Sequence, residues 1–443
     1  MEEKKEEKEK NPFFENRYPY ENDMQVTPQK IKEIKESYFK LGENNLSHLS
    51  KTPNRVKSIE YFEKMLQDRS QRVKELQEAK AKGKKVIGTF CIHVPEELIY
   101  AAGAIPLRLS CGHYDSIAPA EEIIPKNTCP LIKSSVGFNL NNINPLFQFC
   151  DVIIVPTSCD GKKKMAEILS NKYKIWTLDL PQDKENANTE EFWRAQIYSL
   201  KEKLENLTGN KITKKSLKES IILLHKRVEL VRTLFEMRKY ECLPINGRDV
   251  HLVMQVAFFD DIKRWMEKLS NLLGEVKENI LKKKFVSDKN APRIILTGSP
   301  LIWPNMKILN ILEESGAIII ADDSCVCGQY FYNPVETDDW SMKSMIEAIA
   351  DKVLLPSVCP IFTHSDDRMD KILELIEQYN ANGVVYHVLR LCQVFDFEYA
   401  KMSKILEKKG VPLLKIETEY SEEDVGQIRT RIEAFIEMMG DRK

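Results

Sequence analysis

Apolar positions along the chain follow two rhythms. Short unbroken apolar runs bounded by Gly, Pro or polar clusters stand at 86–90 (VIGTF), 105–109, 152–155, 175–178 and 293–297 (RIILT), and each predicts a buried strand. Between them apolar residues recur at threes and fours. Ile59, Phe62, Met65, Leu66, Val73 and Leu76 predict one amphipathic helix over 56–82, ended by Gly83. The stretch HVPEELIYAAG predicts a helix with Pro95 at its first position, Glu96 and Glu97 in its first turn and Gly103 closing it. A further helix is predicted over 306–315. The segment 190–284 reads as almost wholly helical, with helices over 200–207, 217–238 and 250–281, and serves as a scaffold or a dimer-forming layer. Residues 1–54 are charged and show little periodicity before 31–38, which predicts a disordered or loosely docked arm.

Alternating strands and helices predict an α/β fold. Three segments recur in the same order. GAIPLRLSCG at 103–112 is echoed by GAIIIADDSCVCG at 316–328, IIPKNTCPLI around Cys129 by LLPSVCPI around Cys359, and DVIIVPTSCDG by GVVYHVLRLCQ. The repeat predicts two similar Rossmann/flavodoxin-like α/β domains with an N-terminal helical arm and a helical middle segment. The expected boundaries are 1–84 for the arm and its helix, 85–189 for the first α/β domain, 190–290 for the helical segment and 291–443 for the second.

The stretch TSCDGKKKM, directly after the strand 152–155, is where the chemistry concentrates. It leaves Cys159 at the carboxyl end of a sheet and beside a helix N-terminus, where a thiolate is favoured and open sheets bind ligands. A net charge of −1 gives no general pull toward nucleic acid or anionic membrane. No apolar run reaches the roughly 18 to 20 residues of a membrane span, and the start MEEKKEEKEK is unlike a signal peptide, so a cytoplasmic protein is expected. Ten cysteines in that compartment point to metal or redox chemistry rather than disulfides. Only Cys325 and Cys327 form a close pair, which suits dispersed iron-sulfur ligation better than structural zinc. Cys150 and Cys242 read as core or surface residues.

Taken together, GTFCIHVPEELIYAAGAIP, NTCPLIKSSVGF, TSCDGKKKM, the DSC of 323–325, the Cys359 loop, Asp366-Asp367, GVVYHVLRLC and IETEYSEEDVGQIRTRIEAFIEMM resemble the 2-hydroxyacyl-CoA dehydratase family, and within it the double-cubane cluster proteins. The resemblance spans about 85–439. It implies a 4Fe-4S cluster held by three cysteines, to which Cys129, Cys159 and Cys392 correspond by position. In the double-cubane branch it implies a second cubane joined through a sulfide (8Fe-9S), for which Cys91, Cys325 and Cys359 are the expected ligands, with Cys111 and Cys327 in reserve. It also implies an ATP-dependent iron-sulfur activator as electron donor. The expected function is therefore a low-potential reductase component acting on a small molecule, as a homodimer. Two other readings are a subunit of a heterodimeric 2-hydroxyacyl-CoA dehydratase, which works through a ketyl radical, and an iron-sulfur electron-transfer or scaffold protein. No Gly-rich phosphate loop of a specific kind is present.

Three further groups stand beside these motifs. Lys162, Lys163 and Lys164 oppose the dipole of their own helix, and are expected to lower the Cys159 pKa, balance cluster charge or meet the activator. His93, His113, His364 and His387 lie near cysteine loops and are candidates for ligation or proton transfer, although lone histidines are usually structural. Glu96 and Glu97 read as first-turn stabilisers with proton transfer as the alternative role.

Overall fold

The computed structural model describes residues 26–440. Its strands are β1 Val86–Thr89, β2 Ile105–Arg108, β3 Val152–Pro156, β4 Ile175–Leu178, β5 Arg293–Gly298, β6 Ile318–Asp323, β7 Gly383–Leu389 and β8 Leu413–Thr418. They build two parallel four-stranded sheets of one topology, ordered β2-β1-β3-β4 and β6-β5-β7-β8. Each is an α/β unit of the expected kind. The central strands β1, β3, β5 and β7 are buried along their whole length, because helices cover both faces, whereas the edge strands β4 and β8 are half-buried.

The helices between the units are not set apart from them. Helix Lys214–Glu236 packs on the short helix Glu96–Ala101 of the first unit and on Met342–Leu354 of the second. Its Arg227 bonds Glu96 at 2.9 Å and the Tyr330 hydroxyl at 2.8 Å. From helix Ala187–Thr208, the Trp193 indole donates to the Ala350 carbonyl at 3.0 Å. One hydrophobic core runs through both sheets and includes Leu107, Phe138, Val253, Leu296 and Leu312.

Three expectations change. The arm is not loose from residue 28: Pro28–Leu49 is a 22-residue helix with Ile34, Tyr38 and Leu49 buried, and Tyr38 stacks on Phe138 at 5.1 Å. Residues 1–25 lie outside the described residues. The single helix expected over 56–82 is a 3-10 turn followed by Glu60–Gln67 and Ser70–Ala81, broken where the Asp68 carboxylate takes the Ser70 N–H at 2.8 Å. The one expected over 250–281 is likewise two, Gly247–Ala257 and Ile262–Leu281, because Asp261 caps the second through Lys263 N and Arg264 N.

Candidate metal centre

In each sheet the strand order reverses between the first and third strands, so a crevice opens at their carboxyl ends. Cys91 follows β1, Cys159 follows β3, Cys325 follows β6 and Cys392 follows β7. Cys359 comes from the loop after helix Met342–Leu354. The two crevices face one another, and Gly112 of the first unit touches Ile302 and Trp303 of the second.

Three of these thiols share a backbone position. Cys129, Cys159 and Cys392 are the N-cap residues of helices Pro130–Leu140, Asp160–Ser170 and Gln393–Lys408. The N–H groups of Leu131, Lys162 and Phe395 favour the thiolate forms, without closing a full capping hydrogen bond. Three helix N-termini thus put partial positive charge on one point of the cleft. Cys129 and Cys392 are free thiols that lie close enough to share a proton. Cys392 is pulled down as the acceptor of the Cys129 thiol proton, helped by the Phe395 N–H, the Ser299 hydroxyl and Lys162, while Cys129 is pushed up as the donor. Cys159 adjoins both Cys392 and Cys91, and burial raises its pKa.

The second set is Cys91, Cys325 and Cys359, which lie close enough to shift one another. Burial pushes the Cys325 thiol up to about 11 and raises Cys359 as well. Burial also opposes the thiolate at Cys91. There the Lys162 ammonium, the His93 N–H and the Arg108 guanidinium prevail, and its pKa falls. Lys162 stands between the sets, facing Cys91, Cys159 and Cys325, and its own pKa is raised despite burial. Of the lysine run it alone turns inward: Lys163 pairs with Asp160 and Lys164 with Glu167 on the surface.

The remaining candidates separate from the site. Cys111 and Cys327 are fully buried, and burial raises both, Cys111 to about 12. Cys150 sits under Gly88 beside Asp151, and Cys242 is partly exposed. His113 bonds Ser116 and Ser37, His387 bonds the Ser299 carbonyl at 2.8 Å, and His364 is exposed. His93 is buried against Phe362, with its Nε2 lacking a partner among the described residues. Glu96 pairs with Arg227 and Glu97 with Lys352, so both hold the fold together.

Three site residues were not singled out in the sequence. Arg108 ends β2 beside Cys91 and Cys325. Tyr420, 1% exposed, packs with Cys129 and Cys392 and carries a hydroxyl with no partner among the described residues. Arg368 bonds Asp323, Glu398 and the Val358 carbonyl, and so ties together the loops of Cys325, Cys359 and Cys392. Its one signal was its place directly after the Asp366-Asp367 pair.

Fold and site together define a class: a twin α/β protein whose two switch points meet across a cleft lined with cysteines. A family model described as 2-hydroxyglutaryl-CoA dehydratase, D-component, matches residues 91–439, and the chain belongs to that family of enzyme components. It is 29% identical to the putative dehydratase subunit YjiM of Escherichia coli, over 81% of this chain and 93% of that protein. It is 26% identical to the (R)-phenyllactyl-CoA dehydratase beta subunit of Clostridium sporogenes, over 81% and 92%. To a benzoyl-CoA reductase subunit of Thauera aromatica it is 23% identical, over 80% and 90%.

Proposed function

We propose that this chain is the iron-sulfur component of a low-potential reductase of the double-cubane type. It would receive electrons from an ATP-dependent activator and reduce a small molecule. The supporting observation is the six thiols in two adjoining sets, with one inward cation between them. A dehydratase needs only the first set.

The donor set fits an anionic cluster. All six donors are sulfur, three sit on helix N-termini, and Lys162 and Arg108 supply positive charge without a carboxylate ion pair among the described residues. Among the described residues no three Cys, His, Asp or Glu side chains converge as a single ion requires. A zinc ion draws its sulfurs to about 2.3 Å, whereas a cubane takes each thiolate at a separate corner. When bound, such a cluster supplies one-electron chemistry at low potential. The chain's own groups would stabilise the thiolates, compensate charge and keep water out.

Iron and acid-labile sulfide per chain, measured on protein purified without oxygen, test the reading. About eight irons are expected, and about four would indicate the single-cluster pattern. Stoichiometric zinc in their place would sink it.

A second reading has its own support, since the relatives include proteins named as the beta subunit of a dehydratase and as a subunit of a reductase. On that reading a second chain of similar length co-purifies, and the chain alone does not turn over substrate.

A further inference from the structure

The loop after β8 carries Tyr420 to the first thiol set, and one buried lysine holds it there. Lys307 opens the helix Lys307–Glu314. Its ammonium lies 2.9 Å from the Glu419 carbonyl and 2.5 Å from that of Ser421, the residues on either side of Tyr420. It also reaches the Thr418 hydroxyl at 2.8 Å and the Asp424 carboxylate at 2.5 Å. A buried ammonium is stable only where it is paired and hydrogen-bonded, so lysine and loop hold each other in place. A chain clasped on both sides of one residue has little freedom to turn that residue away.

Tyr420 itself is turned inward. It packs with Ile117, Leu131 and Leu389 and with Cys129 and Cys392. The ionisable groups that bear most on its hydroxyl are four thiols, Cys129, Cys111, Cys392 and Cys325. Among the described residues that hydroxyl has no hydrogen-bond partner. Buried tyrosine hydroxyls normally have one, and packing alone would need no more than a phenylalanine ring. Sulfur chemistry supplies the acceptor. As free thiols, Cys129 donates to Cys392 and the two satisfy one another. A metal takes cysteines as thiolates, which accept hydrogen bonds and cannot donate them. Ligation thus frees lone pairs on two sulfurs that Tyr420 already packs against.

We infer that the Tyr420 hydroxyl donates a hydrogen bond to a ligating sulfur of the first set, Cys129 or Cys392, and thereby sets how readily the bound cluster takes up an electron. The inference rests on the proposed iron-sulfur reading and deepens it. An added electron makes the sulfurs more negative, so a donor aimed at them favours the reduced form over the oxidised one. Tyr420 would act as a fixed dipole and move no proton. The Lys307 clasp gives that dipole its aim.

The test is redox titration followed by EPR on the full-length protein purified without oxygen, with iron and acid-labile sulfide measured first. Tyr420→Phe removes only the hydroxyl. It should keep the parent's iron content and hold the electron roughly tenfold less favourably, a fall of about 59 mV in midpoint for one electron. 3-Fluorotyrosine at position 420, a more acidic phenol and a stronger donor, should move the midpoint the other way. Tyr114→Phe, at a surface tyrosine, should leave it where it was. In deuterium oxide, ENDOR of the reduced parent protein should show an exchangeable proton coupled to the cluster that Tyr420→Phe lacks. A loaded protein with the same midpoint and the same proton spectrum in parent and Tyr420→Phe would overturn the hydrogen bond and leave the cluster reading standing. Should Tyr420→Phe lose iron, the fluorinated chain decides, and an unshifted midpoint there overturns the bond as well. Parent protein without iron and sulfide would remove the cluster reading, and this inference with it.

Discussion

Arg368 Nη1 lies 2.7 Å from the Asp323 carboxylate, with the arginine side chain fully buried and the aspartate 3% exposed. The same guanidinium holds Glu398 at 2.6 Å and the Thr297 hydroxyl at 2.8 Å. Removing one partner of a buried pair strands the other and costs about 3–5 kcal/mol. Arg368→Met should therefore lower stability by about that amount in urea unfolding. Arg368→Lys, which keeps the charge but not the planar fork, should retain the fold and lose iron. Normal iron content in Arg368→Lys would rule out a positioning role for the fork.

Lys162 and its neighbours separate cleanly. If the proposed cluster is held there, replacing Lys162 by Gln removes the cation that faces both thiol sets, so reduction should become harder by roughly 100–200 mV, the scale of a unit charge about 4–7 Å away at an effective dielectric constant near 20. Lys163→Gln and Lys164→Gln, on the surface with local partners, should leave the midpoint potential where it was. Redox titration followed by EPR distinguishes them, and equal shifts in all three variants would show that only net charge matters.

His387 gives a pH dependence with a definite sign. Burial holds its pKa down at about 4, against an ordinary value of 6.5. The neutral ring is thus favoured in the folded state, and the unfolded state binds the proton first as pH falls. Its contribution is complete above about pH 6.5 and is lost as pH drops through about 4, on the order of 3 kcal/mol in all. Urea unfolding between pH 7 and pH 4.5 should show a smaller loss for His387→Asn than for the parent protein. Identical slopes would assign the acid sensitivity to other groups.

Gly112 tests how closely the two units fit. A Cβ there would stand 2.0 Å from the Ile302 carbonyl oxygen, a backbone atom that cannot swing aside. Gly112→Ala should cost roughly 1–3 kcal/mol and lower iron content with it. Unchanged melting would mean that the contact between the units is looser than this.

Some of this was legible in the chain and some was not, for physical reasons. The central strands are buried on both faces and so read as plain apolar runs. The helix Pro28–Leu49 hid because its buried stripe, Ile34, Tyr38, Gly42, Asn45 and Leu49, includes a glycine and an asparagine that no hydrophobic count registers. The helix breaks at Asp68 and Asp261 hid because apolar periodicity continues across them while a side chain takes over the backbone N–H groups. The repeated loops pointed to the cysteines, but Arg108 and Arg368 act through partners distant in the chain, which spacing does not report. Lys162 was visible only as one of three until the helix turned its neighbours outward.

The distribution of the six thiols fixes an order of assembly. Cys129 and Cys159 belong to the first unit and Cys392 to the second; Cys91 belongs to the first, Cys325 and Cys359 to the second. Neither set is complete within one half of the chain. If the sets hold clusters as proposed, loading with iron would come after both halves have folded and met, so a filled site would certify a finished molecule. On the proposed reading, a ribosome-bound chain that has not yet made β7 lacks Cys392 and could not complete the first set.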